Sequence, residues 1–203
     1  MAIQASPEPK NEIHVLHIDD QPDQLRFTKM FLESSDDELK IEDTTSAEEA
    51  MNMLKSRRYD CVVADYRMPD VDGIELAKKI RELHKVPLIM YTAWGSDKVA
   101  EDAFAVGVDD YIRKELEPSH YQILAKRIRM AVEKHRAEEL CRRVSSTMDH
   151  ALTHSLQVIK RATACMRNEP DKAMDMLQMI DDAIDHAAQI LDDLRYLTGI
   201  DSE

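Results

Sequence analysis

From residue 13 onward the chain alternates short apolar runs with amphipathic stretches, and this rhythm limits its fold more than any other feature of the sequence. The runs Ile13-His-Val-Leu-His-Ile18, Leu39-Lys-Ile41, Cys61-Val-Val-Ala64, Pro87-Leu-Ile-Met-Tyr91 and Asp110-Tyr-Ile112 have the length and character of strands. Helical patterns separate and follow them, among them Ser46 to about Arg57, about Gly73 to His84, and Asp97 to Val106. Five βα repeats result. Val62-Val63-Ala64 and Leu88-Ile89-Met90 are apolar without alternation, as strands covered on both faces are. The expected architecture is an open, doubly wound α/β domain of about 120 residues with a parallel sheet between helices.

Composition narrows the rest. A chain of 203 residues holds one ordinary domain and a small second one. With 27 Lys and Arg against 40 Asp and Glu, the formal charge of −13 repels phosphate backbones, so no nucleic-acid partner is expected. Glycine occurs only at 73, 95, 107 and 199, which excludes a glycine-rich nucleotide loop. Cys61, Cys141 and Cys165 are far apart and read as reduced thiols. The opening MAIQASPEPKNE lacks a basic start followed by an apolar run, and no stretch reaches the roughly 20 apolar residues that span a bilayer. A cytoplasmic protein without membrane insertion is the expectation.

After Pro118 the strand pattern stops and apolar residues recur at helical spacing to the end. Cys141, Val144, Met148, Ala151, Ser155, Val158, Ala162 and Cys165 step by three and four, with Leu152, Leu156 and Ile159 widening the stripe. Leu177, Ile180, Ile184, Ala187, Leu191 and Leu194 repeat those steps. Pro170, with Asn168 and Asp171 as candidate caps, separates the two helices. The boundaries are therefore a flexible N-terminus at 1–12, the α/β domain at 13–133 and a helical hairpin at 134–203. Two helices cannot enclose a core, so a second copy completing a dimeric four-helix bundle is expected. Nothing between Ile123 and about Met166 breaks a helix, which leaves open a continuous helix or a short break near Lys134 to Glu139.

Ligands of doubly wound sheets sit beyond the carboxyl ends of the strands, where the strand order reverses. Asp19 and Asp20 follow the first strand and Asp65 the third, so three carboxylates converge on that crevice. Their mutual repulsion is relieved by a hard dication, and Mg2+, which takes oxygen ligands and keeps waters, suits them. Thr92 ends the fourth strand with a hydroxyl and Lys114 follows the fifth with an ammonium, both phosphoryl-binding groups. A carboxylate can attack phosphorus to form an acyl phosphate, and Asp65 is the candidate nucleophile. Singly, each residue has a plainer reading: Asp19 or Asp20 as a helix cap, Asp65 as a turn former, Thr92 as a strand residue, Lys114 as a solvated charge. Their joint position at four strand ends favours the chemical reading.

Ile18-Asp19-Asp20, Asp65 with Met68-Pro69-Asp70-Val71-Asp72-Gly73, Thr92-Ala93 and Tyr111-Ile-Arg-Lys114 resemble the receiver domain of two-component response regulators, over residues 13 to about 133. The resemblance implies a flavodoxin-like (βα)5 fold with a five-stranded parallel sheet. It implies Asp65 as phosphoacceptor, with Mg2+ held by Asp65, by Asp20 directly, by Asp19 as its partner and by the backbone carbonyl of Arg67. Lys114 and Thr92 would bind the phosphoryl group, and Thr92 with Tyr111 would form the switch; Tyr111 is otherwise ordinary core. Glu115 departs from the proline usual after the lysine, which touches loop geometry more than chemistry. Arg67 is placed to modulate the lifetime of the phosphoryl group.

Within the hairpin, Met148-Asp-His-Ala-Leu-Thr-His-Ser-Leu156 is similar to the histidine box of the dimerisation and phosphotransfer hairpin of sensor kinases, in degenerate form. His150, Leu152 and Leu156 remain, while Ala151, Thr153 and Ser155 replace the acidic residue, the arginine and the proline. Loss of the acidic residue argues against efficient kinase chemistry, so His150 is either a second phosphoacceptor or a solvated histidine. No ATP-binding region follows, which implies no enzyme beyond self-phosphorylation and slow autodephosphorylation. The expected function is a response regulator that takes a phosphoryl group from a cognate histidine kinase and acts through protein contacts. Alternatives are a relay between Asp65 and His150, an adaptor that heterodimerises with a kinase, and a phosphohydrolase using Asp70 or Asp72. A DNA-binding regulator is disfavoured by the 9 basic and 13 acidic residues of 134–203.

Overall fold

The computed structural model describes residues 12–198 except 70, 116 and 169, so the N-terminal segment before Glu12, Asp70, Gly199 and the side chain of Leu194 lie outside the described residues. The chain divides into two compact units, Met1–Arg136 and Ala137–Glu203. In the first, strands β1 (Ile13–Ile18), β2 (Leu39–Thr44), β3 (Cys61–Ala64), β4 (Leu88–Thr92) and β5 (Asp110–Arg113) alternate with helices α1 (Pro22–Ser35), α2 (Ala47–Ser56), α3 (Gly73–Leu83) and α4 (Asp97–Ala105). The sheet is parallel, in the order β2-β1-β3-β4-β5, with Val15 beside Cys61, Val62 beside Leu88 and Tyr91 beside Ile112. The chain builds β2 on one side of β1 and β3 on the other, so the strand order reverses between β1 and β3.

Alternation along β1 sends Ile13 and Val15 into a core with Leu32, Leu124 and Ile128, and Leu16 and Ile18 into a second core with Leu76, Ile80 and Ala50. Both faces are covered, which is why β3 and β4 are buried at every residue. β2 extends to Thr44, beyond the apolar Leu39-Lys-Ile41, because backbone pairing continues through Asp43 and Thr44 opposite His17 and Ile18. An edge strand tolerates polar side chains that a central one does not.

Local chemistry starts the helices. Ser46, Asp72 and Ser96 accept the backbone N–H three residues on, at 3.3, 2.8 and 3.4 Å, and so cap α2, α3 and α4. α1 starts otherwise: Gln21 makes no side-chain cap bond, and Pro22 supplies the first helical turn. Capping is thus not the role of Asp19 or Asp20. Gly107, at φ +89°, turns the chain from α4 toward β5, a left-handed conformation that favours glycine.

The unit boundary falls within α5 (Pro118–Asn168), which is helical through Lys134–Glu139, where the sequence left a break open. A 3-10 turn at Pro170–Lys172 then leads into α6 (Ala173–Thr198). In the helical unit Ser155, Ala162 and Ala183 are the buried residues among those described, while Val144, Met148 and Val158 are half-buried and Cys141 is exposed. Leu156 is 66% exposed, Ile184 50% and Leu177 45%. The expected stripe is closed only where small side chains let two helices approach, because one helix pair has a single seam. Among the described residues no helix is long and apolar enough to cross a membrane.

Candidate functional site

The carboxyl ends of the strands are drawn together by backbone pairing that runs past the strands. Asp65 N–H donates to the Ile18 carbonyl at 2.8 Å, Asp19 N–H to Thr44 at 3.2 Å, and Lys114 N–H to Thr92 at 2.8 Å. Asp19, Asp65, Thr92 and Lys114 therefore meet at one edge of the sheet although they lie up to 95 residues apart. Asp19 and Thr92 are fully buried and Asp65 is 4% exposed.

The Lys114 ammonium bridges two carboxylates, donating to Asp19 Oδ2 at 2.5 Å and to Asp65 Oδ1 at 2.9 Å. The other oxygens of those carboxylates accept backbone N–H groups: Asp19 Oδ1 from Gln21 at 3.0 Å, and Asp65 Oδ2 from Arg67 at 2.9 Å. Asp20 differs, because its Oδ1 is buried and has no hydrogen-bond partner among the described residues. It borders a shallow cleft lined also by Tyr66, Arg67, Met68, Pro69 and Asp72.

The sequence reading gathers three carboxylates on one cation. In the structure, Lys114 neutralises two of them and Asp20 stands apart, and among the described residues no three His, Cys, Asp or Glu side chains gather into a metal-binding group. A hard divalent cation still fits. Mg2+ requires few protein ligands and keeps its waters, and a buried carboxylate oxygen without a donor beside an open cleft is its chemical complement.

Two glycines shape the site. A Cβ on Gly73 would stand 2.5 Å from the Asp65 carbonyl oxygen, so only glycine lets the chain after Asp65 fold back, with Gly73 N–H donating to Tyr66 at 2.7 Å. A Cβ on Gly95 would meet the Tyr111 hydroxyl at 1.9 Å. That hydroxyl donates to the Trp94 carbonyl at 3.0 Å. Partial burial raises the Tyr111 pKa above the usual phenol value. The Tyr111 ring is half-buried, and no cis peptide occurs among the described residues, the Lys114–Glu115 bond included.

Trp94 escaped the sequence reading. Its N–H donates to Thr92 Oγ at 3.2 Å, and the Arg67 guanidinium lies over its ring at 4.4 Å. The available signal was its place as the chain's single tryptophan, two residues beyond Thr92. Tyr91 was likewise missed; it lies beneath the Lys114 ammonium at 5.6 Å and stacks on His120. His150 belongs to the helical unit, where it is exposed on α5.

The family model for the response regulator receiver domain matches residues 15–126. A transcriptional regulatory protein, SrrA of Staphylococcus aureus, is 30% identical over 146 residues, 72% of this chain and 55% of that protein. The chain thus spans about half the length of the curated relatives it matches. Among solved structures, a two-component response regulator from Clostridium difficile is 30% identical with a TM-score of 0.53, covering 58% of this chain and 95% of that one. A Francisella response regulator receiver domain is 26% identical with a TM-score of 0.54, covering 61% and 98%. A CheY-like receiver domain protein from Methanospirillum hungatei JF-1 is 25% identical with a TM-score of 0.56, covering 63% and 98%. With its five-stranded flavodoxin-like sheet and acidic strand ends, the chain belongs to the response regulator receiver family of two-component systems.

Proposed function

We propose that Asp65 accepts a phosphoryl group from the phosphohistidine of a cognate sensor kinase and that the change is read out by the helical unit through protein contacts. The observation that carries this reading is the Lys114 ammonium held at 2.9 Å from Asp65 and 2.5 Å from Asp19, beside the unpartnered Asp20 oxygen. In the transfer an Asp65 carboxylate oxygen attacks phosphorus, the P–N bond to the imidazole breaks, and the nitrogen keeps the electron pair. Lys114 sits where the phosphoryl oxygens gather charge, and the Thr92 hydroxyl, on the adjacent strand end, donates to one of them. Asp20, with Asp19 behind it and the Arg67 carbonyl and Asp65 alongside, would hold Mg2+. That ion supplies charge neutralisation at the same oxygens. Tyr111, hydrogen-bonded to the Trp94 carbonyl, is placed to follow any movement of Thr92. No turnover of an external substrate is assigned to the site.

In the helical unit, the exposed Leu156, Leu177, Ile184 and Leu191 support pairing with a second copy into a four-helix bundle, the degenerate kinase-like hairpin serving as dimeriser. The net charge of −4 over 134–203, from 9 basic and 13 acidic residues, favours a protein partner over nucleic acid. The test is incubation of the chain with acetyl phosphate and Mg2+. A mass gain of one phosphoryl group, lost in Asp65→Asn and reduced at least about tenfold in Asp20→Asn, supports the assignment. A gain that survives Asp65→Asn refutes it. A relay to His150 would instead leave an acid-labile, base-stable label that His150→Gln removes.

A further inference from the structure

The Lys114 ammonium carries three N–H donors, and the carboxylates of Asp19 and Asp65 take two of them, at 2.5 and 2.9 Å. On another side the ammonium faces a ring: Nζ stands over Tyr91, 5.6 Å from the ring centroid. Tyr91 is 1% exposed and lies in the core with Ile89, Ile112 and Leu124. Those fellows are aliphatic, and filling a core is a task that an aliphatic side chain performs as well. The ring is braced from behind. His120, in the first turn of α5, stacks on it at 5.7 Å and 13°, and meets Tyr121 edge-on at 6.4 Å and 72°. Tyr121 in turn stacks on Phe31 of α1 at 4.7 Å, so a column of four rings runs from Lys114 to α1. Burial, with Tyr121, Asp19 and Glu115 nearby, pushes the Tyr91 phenol up, so the ring stays neutral.

We infer that Tyr91 is a positioning residue for phosphoryl transfer: its ring face, braced by His120, holds the Lys114 ammonium beside Asp65 while the remaining N–H meets a phosphoryl oxygen. This inference rests on Asp65 as phosphoacceptor and adds a residue to that reaction. When an Asp65 oxygen bonds to phosphorus and the bond to the leaving group breaks, the leaving group takes the electron pair. The carboxylate becomes an acyl phosphate, and its negative charge passes to the phosphoryl oxygens. Asp65 then pulls less on Lys114, whereas Asp19 pulls as before. An ammonium held by carboxylates alone would be drawn to Asp19. The ring attracts it from a fixed side, takes none of its N–H groups, and attracts it equally before and after transfer. Lys114 is 10% exposed at its side chain, and at a site this dry a cation–π contact shifts an equilibrium by about five- to thirtyfold.

The experiment uses the full chain and radioactive acetyl phosphate, with acetate as the leaving group and the Mg2+ concentration varied. Tyr91→Phe keeps the ring face and should label within about twofold of the parent rate. Phenylalanine carrying one, two or three ring fluorines at position 91 keeps the shape and drains the face of negative potential. The rate constant at saturating acetyl phosphate and Mg2+ should fall stepwise along that series, with three fluorines about three- to tenfold below Tyr91→Phe. The Mg2+ concentration giving half the maximal rate should stay within about twofold throughout, because the ion is assigned to Asp20 and not to Lys114. Fluorinated rates equal to that of Tyr91→Phe mean a ring that only fills the core, and overturn the inference while leaving Asp65 as phosphoacceptor. A Tyr91→Phe rate as low as that with three fluorines assigns the effect to the hydroxyl and overturns it equally. So does an Mg2+ requirement that rises in step with the loss of rate, the mark of a loosened site. Absence of Asp65-dependent label in the parent chain overturns the phosphoacceptor reading, and the role of Tyr91 with it.

Discussion

Replacing Lys114 by methionine tests the electrostatic design of the site most directly. Lys114 is 10% exposed at its side chain, and the carboxylates it bridges, Asp19 and Asp65, are 0% and 5% exposed. Methionine keeps the length and the apolar stem but removes the only cation bonded to either carboxylate among the described residues. Two buried anions then face each other with one backbone donor each. Stranding a buried charge in this way costs about 3–5 kcal/mol, and the low end, about 3 kcal/mol, applies because the site opens to water at Asp20. With a urea m-value of about 2 kcal/mol/M, the midpoint should fall by about 1.5 M. Trp94 emission follows the unfolding of the receiver unit alone, since it is the single tryptophan and lies in the first unit. Adding Asp65→Asn to the methionine variant removes one of the two stranded anions and should recover about half of the loss. A midpoint unchanged by Lys114→Met, or a double variant less stable than the single, would refute this reasoning.

Gly73→Ala should cost about 2–3 kcal/mol in the same urea assay because its Cβ would press on backbone at 2.5 Å, whereas Gly95→Ala meets only the Tyr111 side chain, which can swing away, and should cost less than about 1 kcal/mol. Burial and the hydrogen bond to Glu42 push the Tyr59 pKa up to about 12 from 10.0. The protonated phenol is therefore favoured in the folded state, and its stabilisation, complete below pH 10, is lost as pH rises from 10 toward 12; Tyr59→Phe should flatten melting temperature against pH across that window. Ile184→Asp, at a side chain 50% exposed in the single chain, should leave melting of the receiver unit unchanged and halve the molar mass measured by light scattering. A mass unaffected by the charge would remove Ile184 from the proposed dimer seam.

The strands and helices of the receiver unit were legible because burial imposes periodicity. Strands covered on both faces must read as unbroken apolar runs, and Val62-Val63-Ala64 and Leu88-Ile89-Met90 do. The second half of β2 is not legible because it is polar, and the hydrogen bonds to β1 that hold Asp43 and Thr44 leave no mark in a hydropathy pattern. The stripe on α5 is legible in the sequence, but its cover is not. Helical periodicity states that a face will be covered without saying by what, and Leu156 stays exposed in the single chain.

The sequence by itself determined the alternation of elements, the parallel sheet and the residue types at its carboxyl edge, since each follows from local pattern and from the rule that ligands meet a doubly wound sheet where its order reverses. Only the tertiary structure decided how those side chains share their charges. Lys114 lies 95 residues from Asp19 and 49 from Asp65, and nothing local predicts that one ammonium serves both while Asp20 is left with an unpaired oxygen. The same holds for Arg67 on Trp94, a contact between two loops whose approach is dictated by the packing of β3 beside β4. Pattern records what a residue's own segment requires, and pairing across segments is written only in the folded chain.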